Sequence, residues 1–492
     1  MTITLFGAIT IIVSIYAFFR NKKLLLNTLV FLSTFTAAEL FHINKIGAPV
    51  QAFEFVGALW ILREFIDFIK TKPKITKEIV INKFKKNKIA TAFLIFILAV
   101  ILSEIMLIIL GTSINYINDD GELTTVKFGM ANIKQMIIII FVFVLMIVLS
   151  FKIKSKQEIK DLLKVFGISS IFAIIWGFIQ FFMYYLKIPY PAFLFNNNEF
   201  AAQLYNQADN GIKRINSIAL EPSMFSINLI AFIPFIIGTF FTLKRDFKNI
   251  KYVQVLVIAI IATVCTILTT SSTAYVGLVT AYGLFGLYIL FGFIKNGELS
   301  NRKKNFVKLF AIAVISISIA AVICIVAVKI GNKIDNTQNN PIEITQPEEK
   351  PDLDEDETSG INRLITTLKQ MTINKLSSNS GKERMSREIT GFDMFKCSPV
   401  FGIGFGSYRT FSLLTNILLG SGVFGMCAFI YIIYVVCKEL IKYRKKEETI
   451  SITFIISIIA TTMCFFAGVP DFIFIYYWMI IVLGYKYATL EN

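Results

Sequence analysis

Two stretches of the chain combine residue types and spacings suited to holding a phosphate. The first is Arg214-Ile215-Asn216-Ser217-Ile218-Ala219-Leu220-Glu221-Pro222-Ser223. Pro222 suits the first turn of a helix, whose N-terminal N–H groups and dipole favour an anion. Arg214 can clamp a phosphate through two parallel hydrogen bonds. The same spacing also fits a capped helix in which Arg214 simply neutralises Glu221. The second stretch is Gly381-Lys382-Glu383-Arg384-Met385-Ser386-Arg387-Glu388. Arg384 and Arg387 share a helix face, a geometry that suits a diphosphate, although Glu383 with Arg387 and Arg384 with Glu388 are also spaced as ordinary salt bridges. This segment continues through Phe392, Phe395 and Pro399 into Gly402-Ile403-Gly404-Phe405-Gly406-Ser407-Tyr408. No strand precedes these glycines, so they suit close backbone approach to a ligand or a neighbouring helix rather than a dinucleotide loop. A third element, Thr269 to Tyr275 with Ser271 and Ser272, offers hydroxyls to sugar or phosphate, or to the ends of two helices.

The elements that must position these residues are membrane helices. With 55% hydrophobic and 17% charged residues and a mean hydropathy of +0.67, the chain cannot fold in water without exposing apolar surface. Its apolar runs last about 17 to 25 residues and do not alternate, which selects helices over a barrel. The expected fold is a single all-α transmembrane domain over 1–492 with about 12–14 transmembrane helices. Thirteen spans are expected, at about 3–19, 24–41, 46–66, 89–111, 135–151, 165–186, 223–243, 252–270, 274–294, 309–330, 410–437, 450–467 and 471–486. The first begins without a basic leader or small-residue cleavage site and is expected to be retained.

The net charge of +16 gathers in alternate loops: 20–23, 69–88, 152–164, 244–251, 295–308 and 438–446. This is the positive-inside pattern rather than a nucleic-acid signature, and it places the N-terminus outside and the C-terminus inside. The opposite face receives a loop at 112–134 with Asp119, Asp120 and Glu122, one at 187–222 and a large one at 331–409. Long polar connections are the expected seat of function. Residues 335–360 are acidic, contain proline and read as a disordered insertion without calcium-loop spacing. Beyond them Ile361, Leu364, Ile365, Leu368 and Met371 share a helical face suited to the membrane surface or to a packed subdomain. Five of the six cysteines lie in apolar runs, with Cys397 apart, so neither a disulfide framework nor a zinc site is implied.

In these stretches the sequence resembles the O-antigen polymerase and O-antigen ligase superfamily, the Wzy-like proteins that handle undecaprenyl-linked glycans. The resemblance rests on Arg214 with Glu221, Pro222 and Ser223 before a membrane helix, and on the turn Ser271 to Thr273. It rests also on Gly381 and Arg384 leading to Ser398 through Tyr408. Many relatives carry an Arg after the serine pair where this chain has Thr273, so a third cationic contact is not expected there. Ligases of the superfamily typically have a functional His in the large outer loop. The one histidine here is His42, near an early helix end, which favours polymerase over ligase.

The resemblance implies a membrane glycosyltransferase of GT-C-like architecture in a bacterial cytoplasmic membrane. Its partners would be a polyprenyl-diphosphate-linked glycan as donor and another as acceptor, the bilayer itself, and a chain-length regulator as a further candidate, with no nucleic acid. Charge grows on the leaving diphosphate, so a preorganised cation cluster is the useful catalyst, and Arg214, Arg384 and Arg387 are its candidates. No outward cluster of Asp, Glu and His has metal-ligand spacing, so neither metal nor cofactor is expected. Glu221 is the candidate base, ahead of Asp209 and Glu199, or else the partner that holds Arg214. Ser223, Ser271, Ser272, Gly404, Gly406 and Tyr408 are the candidate substrate contacts. The competing class is a lipid-linked oligosaccharide flippase or an ion-coupled transporter. Glu39, Glu54, Arg63, Glu64 and Glu104 lie in or near expected spans, where charges mark transport paths.

Overall fold

The computed structural model describes residues 2–43, 48–72, 76–110, 114–117, 123–198, 201, 208–209, 212–243, 249–291, 302–335 and 379–490. Glu199, the acidic loop residues Asp119, Asp120 and Glu122, residues 336–360 of the acidic insertion and the amphipathic run 361–371 lie outside them. So do the side chains of His42 and Asp209.

The architecture is all-α and polytopic. In chain order the helices are α1 (Leu5–Arg20), α2 (Lys22–Leu32), α3 (Ala52–Thr71), α4 (Lys77–Lys86), α5 (Lys88–Leu110), α6 (Met130–Lys152), α7 (Lys156–Tyr185) and α8 (Ala192–Phe195). They continue with α9 (Pro222–Thr242), α10 (Ile250–Leu268), α11 (Ser272–Phe291), α12 (Arg302–Asp335), α13 (Asn379–Phe395), α14 (Leu413–Tyr443), α15 (Glu448–Gly468) and α16 (Ile475–Thr489). Nine described helices are long and apolar enough to cross a membrane: α5, α6, α7, α9, α10, α11, α12, α14 and α15.

The other four expected spans form helices that are shorter or more charged. The one expected at 24–41 stops at Leu32, and residues 39–43 instead form a strand between Thr2–Ile3 and Ala48–Gln51 in an antiparallel sheet. Its β-branched and aromatic residues pair well on a pleated surface, which hydropathy alone does not register. Two-stranded hairpins pair 115–117 with 123–125 and 208–209 with 212–213. The basic stretch before the expected span 165–186 is not a loop throughout: Ser155 caps the N-terminus of α7, accepting from Glu158 N, and the helix starts at Lys156.

The basic connections meet at one end of the bundle. Lys22 contacts Glu64 at 3.2 Å and Asp67 at 3.1 Å, Lys23 contacts Asp161 at 2.7 Å, and Lys152 also pairs with Glu64. Lys88 reaches Glu439 at 3.7 Å, and Lys156 donates to Tyr443 Oη at 2.6 Å. At the other end, which carries both arginine stretches, Ile215 N bonds Leu268 O and Cys464 Sγ donates to Thr273 O. The basic stretches 20–23, 69–88, 152–164 and 438–446 therefore share one end, and the arginine stretches lie at the other. α9 runs between them through the centre, with 83% of its apolar window buried.

The arginine end is built on a hydrogen-bond exchange in α14. Gly422 breaks that helix with φ 66° and ψ −167°, a conformation essentially restricted to glycine. An unbroken helix would bond Val423 N to Leu419 O and Phe424 N to Gly420 O. Instead Val423 N and Phe424 N bond Pro399 O and Val400 O, at 2.8 and 3.0 Å. The released carbonyls of Leu419 and Gly420 accept from Ile403 N and Gly404 N, at 2.9 and 3.0 Å. Residues 399–404 thus enter the bundle with the carbonyls of Pro399 and Val400 and the amides of Ile403 and Gly404 paired to α14. Gly402, Gly404 and Gly406 have φ of +73°, +81° and +88°, and a Cβ on Gly402 would lie 2.5 Å from the backbone of Gly420 and Ser421.

Phe405 completes the anchorage. Its N–H bonds the Glu104 carboxylate of α5 at 3.0 Å, and its carbonyl accepts from Asn132 of α6 at 2.9 Å. Its ring packs on Phe472 at 5.5 Å, which stacks on Trp478 at 5.9 Å. Such aromatic pairs contribute about 0.5–1.5 kcal/mol each. Gly422→Ala is expected to destabilise the protein by about 1–3 kcal/mol or more, because φ, ψ and the contact with Val400 all oppose a Cβ. Gly283→Ala, whose Cβ meets nothing within 4 Å, is expected to leave the unfolding temperature in detergent unchanged or slightly raised. Equal melting of wild type and Gly422→Ala contradicts the exchange.

Candidate functional site

The loop that carries Arg214 is fixed from α7. Gln180 Oε1 accepts from both Asn216 N (3.1 Å) and Ser217 N (3.0 Å), and Ser217 Oγ donates to Ala173 O at 2.5 Å. Ser217 takes a left-handed φ of 52°, which turns the chain toward α9. Arg214 Nε donates to Thr269 O at 3.4 Å, at the carbonyl end of α10, where the helix dipole favours a cation. The reading in which Arg214 serves only to neutralise Glu221 therefore leaves out its helix-end contact. Beside it Lys213 is fully buried, donating to Arg214 O at 2.9 Å and lying 5.7 Å over the Tyr184 ring. Burial pushes its ammonium down to about 7, with the charge of Arg214 adding, so Arg214 is the permanent cation of the pair.

Pro222 occupies the first turn of α9 as expected, with Glu221 at the N-cap in extended conformation. Glu221 makes no side-chain cap bond; its Oε2 accepts from Ser223 Oγ at 3.0 Å. The Glu221 carboxylate stands beside this N-terminus without bonding its N–H groups. Asp471 lies in the turn between α15 and α16, is 19% exposed, and pairs with Arg409 Nη2 at 3.9 Å. Burial raises its pKa above the ordinary carboxylate range, Arg409 opposes that, and the charge of Glu221 adds to it.

Arg384 and Arg387 do share a face of α13. Their guanidinium carbons lie 5.1 and 5.5 Å from the centroid of the Phe411 ring, a cation–π arrangement. Arg387 pairs with Glu383 at 3.0 Å, as spacing suggested. The matching pair of Arg384 with Glu388 does not form. Glu388 instead accepts Phe411 N at 2.6 Å and Ser412 N at 2.8 Å, charge-assisted bonds that hold the 409–412 loop. Arg384 is exposed and makes no salt bridge among the described residues. Ser412 Oγ donates to Phe466 O at 2.8 Å and Asn416 to Pro470 O at 2.7 Å, which joins this loop to the turn holding Asp471.

Contacts therefore run across this end of the bundle from the α13 arginines to Phe411 and from the 409–412 loop to Asp471, whose pKa the charge of Glu221 helps to raise. Ser271 N-caps α11 by accepting Tyr275 N through its carbonyl, and Ser272 is exposed. The approaches made by Gly404 and Gly406 are to protein, at Glu104 and at the Ala131 backbone, and Tyr408 packs edge-on to Tyr116 at 5.2 Å. Asp471, Arg409 and Lys213 were not anticipated. The Val469-Pro470-Asp471 sequence marks a turn, but nothing local shows that this turn faces Glu221. Among the described residues no group of three or more His, Cys, Asp or Glu could hold a metal.

The charges weighed as transport markers have structural partners. Glu54 accepts Gln51 N in a capping box, Arg63 donates to Phe18 O, and Glu64 holds Lys22 and Lys152. Glu39 is bonded by Asn198, and Glu104 by Phe405 N.

Asp471 gives this end a pH signature. The folded protein holds its proton more tightly than the unfolded chain, so stability falls as pH rises from the ordinary value of 3.8 through the raised one, and is level above it. Asp471→Asn is expected to remove that slope in a series of detergent melts against pH. A wild-type and variant difference that stays constant across the acid range contradicts it.

Residues 257–430 match the family model described as O-antigen ligase. Neither the curated proteins nor the solved structures contain a match. The matched segment runs from within α10 to within α14 and contains Ser271, Ser272, Arg384, Arg387, the glycine run and Gly422, while Arg214, Glu221 and Asp471 fall outside it. Residues 257–430 of this all-α polytopic membrane protein are thus similar to the O-antigen ligase family, a match consistent with the O-antigen polymerase and ligase superfamily.

Proposed function

We propose that the chain joins polyprenyl-diphosphate-linked oligosaccharide repeats into polysaccharide at the arginine end of the bundle, on the extracytoplasmic face of a bacterial cytoplasmic membrane. The observation that carries this reading is the pair Arg384 and Arg387 on one helix face, with Arg384 outside any salt bridge among the described residues. The pair lies within the segment that matches the glycan-handling family. Such guanidiniums suit the diphosphate of a donor.

In the proposed step the acceptor hydroxyl oxygen bonds to the anomeric carbon of the donor. Its proton passes to the Glu221 carboxylate. The bond between the anomeric carbon and the diphosphate oxygen breaks, and the electron pair leaves with the diphosphate. Arg384 and Arg387, together with Arg214, stabilise that growing negative charge. Asp471 pairs with Arg409 at 3.9 Å. Ser223, bonded to Glu221, orients the carboxylate. The lack of histidine in the large loop favours another lipid-linked repeat as acceptor; transfer to a different acceptor, as the ligase description of the matching family suggests, is the second reading.

Arg384→Ala is expected to leave the folded protein in the membrane at wild-type level while long polymer disappears and lipid-linked single repeats accumulate. Arg384→Lys, which keeps charge but not the planar fork, is expected to fall between them. Polymer of wild-type length and amount in the alanine variant removes Arg384 from the site.

A further inference from the structure

At the basic end, remote from the arginines, α7, α9, α15 and α16 leave a cavity of about 630 Å³. This lies within the range of about 300–1,000 Å³ usual for small-molecule sites. Its α9 lining, Phe232 to Thr242, begins about 16 Å along the helix from Glu221 and ends about 30 Å from it, so it is a separate place in the molecule. Its inner walls are apolar, with Phe166 and Ile171 from α7 and Phe232 and Phe235 from α9. Ile168 lines it too and is 50% exposed, so the cavity opens sideways on the surface that lipid covers.

The rim has the opposite character. Lys160 and Lys164, one turn apart on α7, are exposed, line the cavity and form no salt bridge among the described residues. The acids beside them are already engaged: Asp161 by Lys23 at 2.7 Å, and Glu447, which also lines the cavity, by the hydroxyls of Tyr443 and Tyr487 at 2.8 and 2.5 Å. Thr453 lines the cavity, is 2% exposed, and its hydroxyl has no hydrogen-bond partner among the described residues. A matching ligand has a negative head for the lysines and an apolar tail for the aromatic walls.

We propose that this cavity is a binding site for one anionic phospholipid, its phosphate at Lys160 and Lys164 and an acyl chain between α7 and α9. Charge complementarity selects the anionic head, since a zwitterionic lipid brings its own cation to the lysines. The sideways opening selects a membrane lipid over a soluble phosphate. The site does not depend on the reading of the arginine end.

The test is native mass spectrometry of the full-length protein, delipidated in mild detergent and offered phosphatidylglycerol, phosphatidylcholine of the same chains, or glycerol 3-phosphate. The expected result is one retained phosphatidylglycerol and at least fivefold lower occupancy for the other two. Lys160→Gln with Lys164→Gln removes the charge. Gly167→Leu fills the wall, where even a Cβ would lie 3.5 Å from the Phe232 ring. Each variant is expected to lose at least fivefold of the bound phosphatidylglycerol while eluting as a folded monodisperse species. Equal retention of phosphatidylcholine, equal binding of glycerol 3-phosphate, or undiminished phosphatidylglycerol in the folded double variant overturns the proposal.

Discussion

The arginine end depends on the backbone exchange at Gly422. A helix that breaks inside a bilayer exposes carbonyl and amide groups that no water can satisfy, and each unpaired group costs several kcal/mol, on the order of the cost of a buried polar group. Here the segment 399–404 takes both sides of the debt, donating to the released carbonyls of Leu419 and Gly420 and accepting from Val423 and Phe424. The arrangement requires glycine at 422 and close packing at Gly402. Once that segment is held, the chain on both sides of it has little freedom. Upstream it delivers α13 with its two arginines; downstream it delivers the 409–412 loop, which Glu388 of α13 then clamps.

The same anchorage explains how distant parts of the sequence come to one place. Phe405 joins α5 through Glu104, α6 through Asn132 and the α15–α16 turn through Phe472. That turn also carries Asp471, which meets Arg409 and feels Glu221. A charged group inside a span is commonly a transport marker, but Glu104 has a structural task, holding the amide that leaves the exchanged segment. The polar groups of this end are thus set by backbone satisfaction first and are available to chemistry second.

Much of this was legible in the sequence because membrane helices and basic loops are encoded locally. Hydropathy located the long helices, and the basic stretches at 20–23, 69–88, 152–164 and 438–446 mark the end where Lys22, Lys88, Lys152 and Lys156 gather. Pro222 at the start of α9 and the shared face of Arg384 and Arg387 follow from helix geometry alone. What escaped depends on contacts far apart in the chain. The run 410–437 looks like one apolar helix, and only the approach of residues 399–404 shows why Gly422 breaks it. Glu388 has the spacing of a partner for Arg384, yet two amides brought in by the next loop bind it more favourably than one exposed ion pair does. Asp471 and Lys213 escaped because burial, which decides their roles, has no local signature in a turn or a two-residue strand.

The central claim is that this bundle forms glycosidic bonds between lipid-linked repeats rather than moving them across a membrane. The most direct measurement supplies the purified protein, in detergent and without any gradient or nucleotide, with polyprenyl-diphosphate-linked oligosaccharide repeats, and resolves the products by size. The account predicts a ladder of products growing by whole repeats as polyprenyl diphosphate is released. Unchanged single repeats, together with transbilayer movement of the same lipid when the protein is placed in vesicles, would contradict it.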